Sequence, residues 1–335
     1  MRSITVRNVN DALSEALWWV KLTGVETPSR NGRVLRCPTP VAVTYLRPAE
    51  RVMFSALRDA NPFFHLMEAV WMLAGRDDVA TPARYAKQIA QYSDDDITLN
   101  GAYGYRWRGW FGMDQLWAII EMLKVDPTTR RAVLGMWSPE FDLGSVSKDI
   151  PCNTHVYFDA SLGCLNMTVC CRSNDIVWGA YGANAVHFSM LQQLIAEATD
   201  IPIGRCTQFS NDLHLYLGRS DVARLYDHAT KDVHYQPDDR YAVACSAVHP
   251  QRLILPDETA AMLLSDAVLF CSKPDTQDFE TQFFKGTVSV MQRAHTAHKA
   301  GDKTGALLAA NSVEAVDWRV ACVEWLQRRA QGAQP

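Results

Sequence analysis

The sequence predicts an α/β protein in which helices pack with a mixed sheet. Apolar residues recur at spacings of three and four over residues 63–75, which is typical of a buried helix, and short segments rich in apolar and β-branched residues follow further along the chain. The chain has 335 residues, of which 48% are apolar and 21% charged, so it can bury a large core. A disordered or fibrous polymer is excluded.

The predicted elements alternate in type along the chain. Helices are predicted over residues 11–22, 63–75, 113–124 and 185–198, with another after Tyr216 and three more near the C-terminus; strands are predicted over residues 33–35, 41–46, 132–137, 154–158, 165–171 and 205–211. We expect a catalytic domain over residues 1–235 and a mainly helical extension over residues 236–335 that packs on it.

Charge and cysteine content exclude several classes of function. The 33 Lys and Arg residues against 37 Asp and Glu give a net charge of -4, which provides no general attraction for nucleic acid or an anionic membrane. No apolar run reaches the roughly 18 residues of a membrane span, and the first ten residues are too polar for a secretory signal. The nine cysteines are scattered without CxxC spacing, so we expect a cytoplasmic protein with reduced thiols and no metal.

One cysteine has a setting that suggests chemistry. Cys152 follows Pro151 at the start of a predicted strand, although a buried structural cysteine is the commoner case. Arg130 and Arg131 precede an earlier strand and Arg172 follows a later one. A thiolate needs positive potential to lower its pKa, and a phosphate needs arginine donors, so a single arginine-lined anion pocket could serve both.

These residues resemble the thymidylate synthase family, including its branch of pyrimidine nucleotide hydroxymethylases. The similarity covers roughly residues 25–220. Its motifs follow the family order: Arg30 after a turn, Glu68 in MEAVWMLAG, the segment YGYRWR from Tyr103, DPTTRR ending at Arg131, Pro151-Cys152, Arg172-Ser173-x-Asp175 with Gly179 downstream, and Asp212-x-His214-x-Tyr216.

The resemblance implies a homodimer, joined through a sheet face, that transfers a one-carbon unit from 5,10-methylenetetrahydrofolate to C5 of dUMP or dCMP. Cys152 would add to C6 of the base, which makes C5 nucleophilic. Glu68, helped by Tyr103, would stabilise charge at the C4 substituent and remove the C5 proton through ordered water.

The resemblance also implies the binding residues. Four arginines would hold the phosphate, two of them lent by the partner subunit, with a serine hydroxyl; a histidine and a tyrosine would bind the sugar 3′-hydroxyl and an aspartate the folate pterin. The phosphate-binding residues are Arg30, Arg172, Arg130, Arg131 and Ser173. The sugar-binding residues are His214 and Tyr216, and the pterin-binding residue is Asp175. Singly, most of these side chains also fit ordinary structural roles, such as a solvated pair, a buried ion pair or a core histidine.

Two departures from ordinary synthases fall beside the base. Asn153 follows the cysteine where synthases usually carry His. The segment from Gly179 to Asn184 is one residue longer than the corresponding segment of the family. Asn184 is the expected base-reading residue. Its amide can bond O4 and N3–H of uracil, or cytosine when flipped, and the family places Asp here for cytosine. Asn184 therefore favours dUMP.

Two further departures affect access of water. Ile89 and Asp149 occupy positions where synthases carry a Trp and an apolar residue, and the C-terminus is polar where synthases end in an apolar tail. Admitting and orienting water favours 5-hydroxymethyl-dUMP as product, an activity that the resemblance associates with bacteriophages. The alternatives are reductive methylation of dUMP, modification of dCMP, a silent nucleotide-binding dimer, and a Cys-His hydrolase.

Overall fold

Two mixed sheets form the centre of the molecule. The computed structural model describes residues 1–231, 238–243 and 246–331. The strands are β1 (Arg2–Val6), β2 (Val25–Ser29), β3 (Gly32–Arg36), β4 (Val41–Tyr45), β5 (Val133–Gly135), β6 (Asn153–Asp159), β7 (Leu165–Cys171), β8 (Asn174–Asp175), β9 (Ile203–Ser210) and β10 (Leu213–Tyr216). One sheet has the order β1-β4-β9-β7-β6-β5 and the other β2-β3-β10-β8. Parallel and antiparallel pairs occur in both, which confirms the predicted fold class.

Helices surround these sheets. They are α1 (Val9–Thr23), α2 (Pro62–Leu73), α3 (Ala80–Ala83), α4 (Tyr103–Tyr105), α5 (Gln115–Val125), α6 (Pro139–Asp142), α7 (Asn184–Thr199), α8 (Ser220–Ala229), α9 (Ala260–Ser272), α10 (Ser289–Lys299), α11 (Lys303–Asn311) and α12 (Val316–Ala330). A 3₁₀ segment covers Lys87–Tyr92, and π-helical turns cover Arg106–Trp110, Ile176–Ala183 and Phe284–Val288.

Helix α2 is the central element of the core. Asn61 caps its first turn by accepting a hydrogen bond from Phe64 N at 3.1 Å, and Pro62 fits the first helical position. Every residue of α2 except Glu68 is buried. Glu68 is therefore the charged position of this otherwise covered helix, and with Phe64 it lines a cavity.

The C-terminal helices cover α2 from another side. Helices α9 and α12 both pack against α2, and the rings of Phe63 and Trp325 meet edge to face at 5.5 Å. The expected domain boundary between residues 235 and 236 lies outside the described residues. Among the residues that are described, no helix is both long and apolar enough to cross a bilayer.

Candidate active site

The start of β6 brings Cys152 next to Arg172. Asn153 pairs with Cys171 across β6 and β7, so the residues just beyond each strand become neighbours. Arg172 N donates to Cys152 O at 2.8 Å, and the Arg172 side chain donates to Pro151 O at 2.9 Å. Arg172 Nη2 lies 4.0 Å from Cys152 Sγ. The cysteine loop is thus held by the arginine that follows the neighbouring strand.

Tyr103, the first residue of α4, also holds the Cys152 loop. Its phenol oxygen accepts hydrogen bonds from the backbone nitrogens of Cys152 and Asn153, both at 3.2 Å. Burial raises the pKa of Tyr103 well above its usual value, so the hydroxyl keeps its proton and remains a donor. Tyr103 can therefore anchor the thiol loop and donate a hydrogen bond at the same time.

The electrostatics at Cys152 differ from the expectation for an arginine-lined pocket. Burial raises the pKa of the Cys152 thiol, and it outweighs the lowering effect of Arg172 and Arg30, while Asp149 raises the pKa further. Desolvation disfavours the thiolate more than the nearby positive charges favour it. Arg172 and Arg30 do lower this pKa, as an arginine-lined pocket predicts, but burial outweighs them in the protein alone.

A cavity of about 700 Å³ brings several predicted residues together. This central cavity is lined by Phe64, Glu68, Gln88, Ile89, Gln91, Tyr92, Tyr103, Asp175, Trp178, Gly179, Ala183, Tyr216 and Arg219. Glu68 Oε2 lies 3.0 Å from His187 Nε2. The predicted carboxylate, phenol, folate-anchoring aspartate and sugar-binding tyrosine thus share one space.

Asn184 is held by two other asparagines. The preceding segment absorbs the extra residue through non-helical backbone at Tyr181 and Gly182, and Asn184 then begins α7. Its Oδ1 accepts from Asn153 Nδ2 at 3.2 Å and its Nδ2 donates to Asn174 Oδ1 at 3.1 Å. Both ends of the amide are therefore oriented by neighbours.

Asp175 sits where the smaller sheet meets the next helical segment. β8 and β10 pair in parallel, with His214 opposite Asp175. Asp175 Oδ2 accepts from Trp178 N at 2.6 Å, whereas its Oδ1 is buried and has no hydrogen-bond partner within the described chain. Burial raises the pKa of Asp175. A buried carboxylate oxygen with unused capacity at this cavity suits a ligand with N–H donors.

His214 and Tyr216 lie side by side in β10. Their rings meet edge to face at 5.2 Å, and His214 Nδ1 lies 3.5 Å from Asp212 Oδ1. Tyr216 also lines a second cavity of about 680 Å³, together with Arg30 and Lys148. This outer cavity shares Gln91, Tyr92, Tyr216 and Arg219 with the central one. The two cavities are therefore adjoining parts of one cleft.

The predicted phosphate-binding residues divide into two groups. Arg30 lies in the outer cavity, where its Nη2 donates to Lys148 O at 2.8 Å, and Ser173 directly follows Arg172 on the Cys152 side. Arg130 and Arg131 are exposed before β5, at the edge of the larger sheet, and line neither cavity. One chain thus brings together two of the four arginines.

Asp149 is held by the backbone near the Tyr103 segment. Its Oδ2 accepts from Gly101 N at 2.7 Å, and Asn100 Nδ2 donates to Asp149 O at 2.9 Å. Burial raises the pKa of Asp149. Its carboxylate also raises the pKa values of Cys152 and Tyr103, so its charge acts on the reacting groups.

Three residues at or near the cleft were not anticipated from the sequence: Arg219, which lines both cavities, and Arg58 and His187, which line neither. The guanidinium groups of Arg58 and Arg219 lie 5.2 and 4.7 Å from the centroid of the Trp178 ring. Burial lowers the pKa of Arg58 to about 10. Arg219 lies beyond the end of β10, and His187 lies in the fully buried start of α7. No sequence pattern marks either residue, and none marks Arg58.

The fold is that of thymidylate synthases, and the chain belongs to the thymidylate synthase family. The family profile described as thymidylate synthase matches residues 48–240. The solved structure of thymidylate synthase from T4 phage aligns with a TM-score of 0.52 and 20% identity, over 65% of this chain and 80% of that one. The predicted family and fold are confirmed.

Named relatives indicate which branch is similar. The chain is 44% identical to a deoxyuridylate hydroxymethyltransferase of Pseudomonas phage M6, over 98% of this chain and 95% of the relative. It is 36% identical to the enzyme of the same name from Bacillus phage SP01, over 56% of this chain and 51% of that one. A thymidylate synthase of Symbiobacterium thermophilum is 28% identical over 67% of this chain and 80% of its own length. The expected relation to phage enzymes is confirmed.

Proposed function

We propose that this chain transfers a one-carbon unit from 5,10-methylenetetrahydrofolate to C5 of dUMP and releases 5-hydroxymethyl-dUMP. The observation that carries the proposal is the 44% identity to the phage M6 deoxyuridylate hydroxymethyltransferase, which extends over 98% of the chain. The cleft described above supplies residues suited to each step. We expect the reaction to take place in the host cytoplasm, where nucleoside monophosphates are available.

Cys152 starts the reaction by adding to C6 of uracil. A C6–S bond forms, and the electrons of the C5–C6 double bond move toward C5 and O4. Because burial raises the pKa of the thiol, the substrate complex must favour ionisation. Arg172, with Nη2 4.0 Å from Sγ, is the nearby group that stabilises the thiolate.

Glu68 and Tyr103 serve the opposite side of the base. Both line the central cavity, and a carboxylate there can move a proton to and from the C4 oxygen and C5 through ordered water. The Tyr103 hydroxyl accepts hydrogen bonds from the backbone of Cys152 and Asn153. The group that assists proton transfer therefore also fixes the position of the nucleophile. Asn184 binds the edge of the base, and its amide is oriented by Asn153 and Asn174.

The central cavity fits the folate co-substrate. Asp175 Oδ1 is buried without a partner among the described residues, and the Trp178 ring lies within cation–π distance of Arg58 and Arg219. We assign Asp175 to the pterin, since its carboxylate can accept from ring N–H groups. When bound, the folate supplies the methylene carbon.

Water rather than hydride completes the reaction in this proposal. Ile89 lines the central cavity at the position where synthases carry a shielding tryptophan. Asp149 stands where synthases carry an apolar residue, and its charge acts on Cys152 and Tyr103. A smaller wall and an added carboxylate both favour an ordered water near the exocyclic carbon.

The phosphate site requires a second copy of the chain. Arg30, Arg172 and Ser173 lie on one chain, while Arg130 and Arg131 are exposed at the edge of its larger sheet. We assign the latter pair to the cleft of the partner in a homodimer.

A complementation experiment tests this assignment. Cys152→Ser and the double variant Arg130→Ala/Arg131→Ala should each be inactive. After subunit exchange an equimolar mixture should recover about a quarter of the native activity, because half of the dimers are mixed and each mixed dimer has one complete site.

One assay separates the possible activities. Purified protein is incubated with methylenetetrahydrofolate and either dUMP or dCMP, and the products are identified by mass. The proposal predicts 5-hydroxymethyl-dUMP without dihydrofolate, because no hydride is transferred. Stoichiometric dTMP and dihydrofolate would instead establish reductive methylation, and product from dCMP alone would reassign the base. Cys152→Ser should abolish turnover while retaining nucleotide affinity; unchanged turnover would refute the assigned nucleophile.

A further inference from the structure

Helices α2 and α7 bring a buried histidine against the carboxylate of the central cavity. His187 lies three residues after Asn184, so the two side chains share one face of α7. His187 Nε2 is 3.0 Å from Glu68 Oε2, with side-chain exposures of 4% and 15%. None of the family motifs used above includes this histidine.

The polar atoms around this contact are not satisfied by the protein. Glu68 Oε2, both ring nitrogens of His187 and Asn153 Oδ1 are buried and have no hydrogen-bond partner among the described residues. Asn153 is tied to the same turn of α7 through Asn184. Buried polar atoms are normally paired with protein or ordered water. Glu68 Oε2 and His187 Nε2 lie 3.0 Å apart and can pair with each other, so the remaining buried atoms, His187 Nδ1 and Asn153 Oδ1, indicate a place for bound water.

We propose that His187 is the positioning residue for the hydration step, holding the Glu68 carboxylate and, together with it, the water that adds to the exocyclic methylene at C5. This inference rests on the proposed hydroxymethylation. A singly protonated imidazole can donate at one nitrogen and accept at the other. One nitrogen then orients Glu68 while the other bonds the water.

The hydration step balances without an oxidant or reductant. The water oxygen forms a bond to the methylene carbon, the electrons of the C5 exocyclic double bond move to O4, and Glu68 receives the water proton. The enolate then reforms the C4 carbonyl and the C5–C6 double bond as the C6–S bond breaks, which releases Cys152 thiolate. His187 acts in this sequence only through Glu68 and the water.

His295 shows what a packing histidine looks like in the same protein. It is also 4% exposed, but its ring packs against those of Tyr85 and Phe63 at 4.7 and 5.4 Å. His295 lies in α10 and lines neither cavity of the cleft. It is a matched control, since a substitution there removes a buried histidine without touching Glu68.

The test compares His187→Leu, His187→Gln and His295→Leu in steady-state assays with dUMP. We expect kcat of His187→Leu to fall about 100-fold, as for loss of acid–base assistance, with KM for dUMP changed less than about threefold. Gln can still donate and accept, so His187→Gln should recover at least about tenfold of that loss. His295→Leu should retain the native kcat.

A thiol trap identifies the affected step. If water addition is slowed, the exocyclic methylene persists and added 2-mercaptoethanol should capture it as a thioether of the nucleotide, seen by mass. A trapped thioether in His187→Leu, absent from native enzyme and from His295→Leu, supports the proposal. For His187→Leu, unchanged kcat, or lost kcat without thioether, overturns it; if that variant does not fold, His187→Met, which also lacks a ring nitrogen, is judged by the same two outcomes. Formation of dTMP by the native enzyme would instead overturn the proposed function.

Discussion

Asn153 Nδ2 donates a hydrogen bond of 3.2 Å to Asn184 Oδ1. These are two positions at which the sequence departs from ordinary synthases, and the structure shows that they are physically coupled. The residue after the nucleophile thus orients the amide assigned to read the base. Asn174 completes the arrangement, because its Oδ1 accepts from Asn184 and its Nδ2 donates to Ser210 at 3.0 Å.

Asn153→Ala should weaken discrimination between dUMP and dCMP. The substitution leaves Asn184 Oδ1 without its donor, so the amide can rotate toward the orientation that suits cytosine. A net hydrogen-bond contribution of about 1 kcal/mol corresponds to roughly a fivefold to tenfold loss in the ratio of kcat/KM for dUMP and dCMP. Asn166→Ala is the control, because Asn166 accepts from Arg205 N in the sheet. An unchanged ratio in Asn153→Ala would show that Asn153 does not orient the amide.

Alkylation of Cys152 should speed up as pH rises beyond neutrality. Burial raises the pKa of this thiol above its ordinary value of 9.0, so the reactive thiolate is a minor form at neutral pH and increases with pH. Iodoacetamide inactivation followed across pH measures this directly. Since Arg172 lowers the pKa, Arg172→Gln should raise it further and slow inactivation at any fixed pH. A rate that is already level at neutral pH would contradict the effect of burial.

The sequence predicts those elements whose apolar residues recur at a clear period. The segment over residues 63–75 is read as a helix because its apolar residues recur at spacings of three and four, and α2 covers Pro62–Leu73. Strand β1 is not predicted, since Ile4 is its single buried residue and no alternation can be recognised. Strand β2 has no buried residue, so it shows no alternation either. Strand β1 forms through pairing with the distant β4, whereas β2 pairs with the adjacent β3 in a hairpin whose turn is Arg30-Asn31.

Parts of the site that depend on three-dimensional packing cannot be read from the sequence. The proximity of Cys152 and Arg172 follows from two strand ends and is foreseen. His187 is not foreseen, because all residues of α7 from Asn184 to Ala196 are buried and no polar face marks it. The net effect of burial on the Cys152 thiol also depends on packing density, which arginine content does not reveal.

Gly104→Ala should reduce turnover by displacing Tyr103. A Cβ added at Gly104 would lie 2.0 Å from the backbone oxygen of Met72 in α2, so the two helical segments must move apart. The shift disturbs the hydrogen bonds from Cys152 and Asn153 to the Tyr103 hydroxyl, and overpacking of this kind costs about 1–3 kcal/mol. We expect lower kcat together with a lower unfolding midpoint. Gly144→Ala, with open space at its Cβ, should leave both unchanged.

Asp142→Ala should be among the most destabilising single changes near the cleft. The Asp142 carboxylate and the Arg106 guanidinium are both fully buried, with N–O distances of 2.6 and 2.9 Å. Removing the acid leaves Arg106 charged and unpaired, which costs about 3–5 kcal/mol. Arg106 also donates to Asn100 O and Met136 O, so the segment that supports Asp149 should loosen as well. Urea unfolding measures the loss.

Two further variants separate burial from charge pairing. Glu121→Ala removes the exposed partner of Lys124 and should cost less than about 1 kcal/mol. Replacing both partners, as Arg106→Met/Asp142→Leu, should restore much of the stability lost in Asp142→Ala, because no unpaired charge remains in the core. A double variant as unstable as Asp142→Ala would show that the hydrogen bonds to Asn100 and Met136, rather than the charge pair, stabilise this part of the cleft.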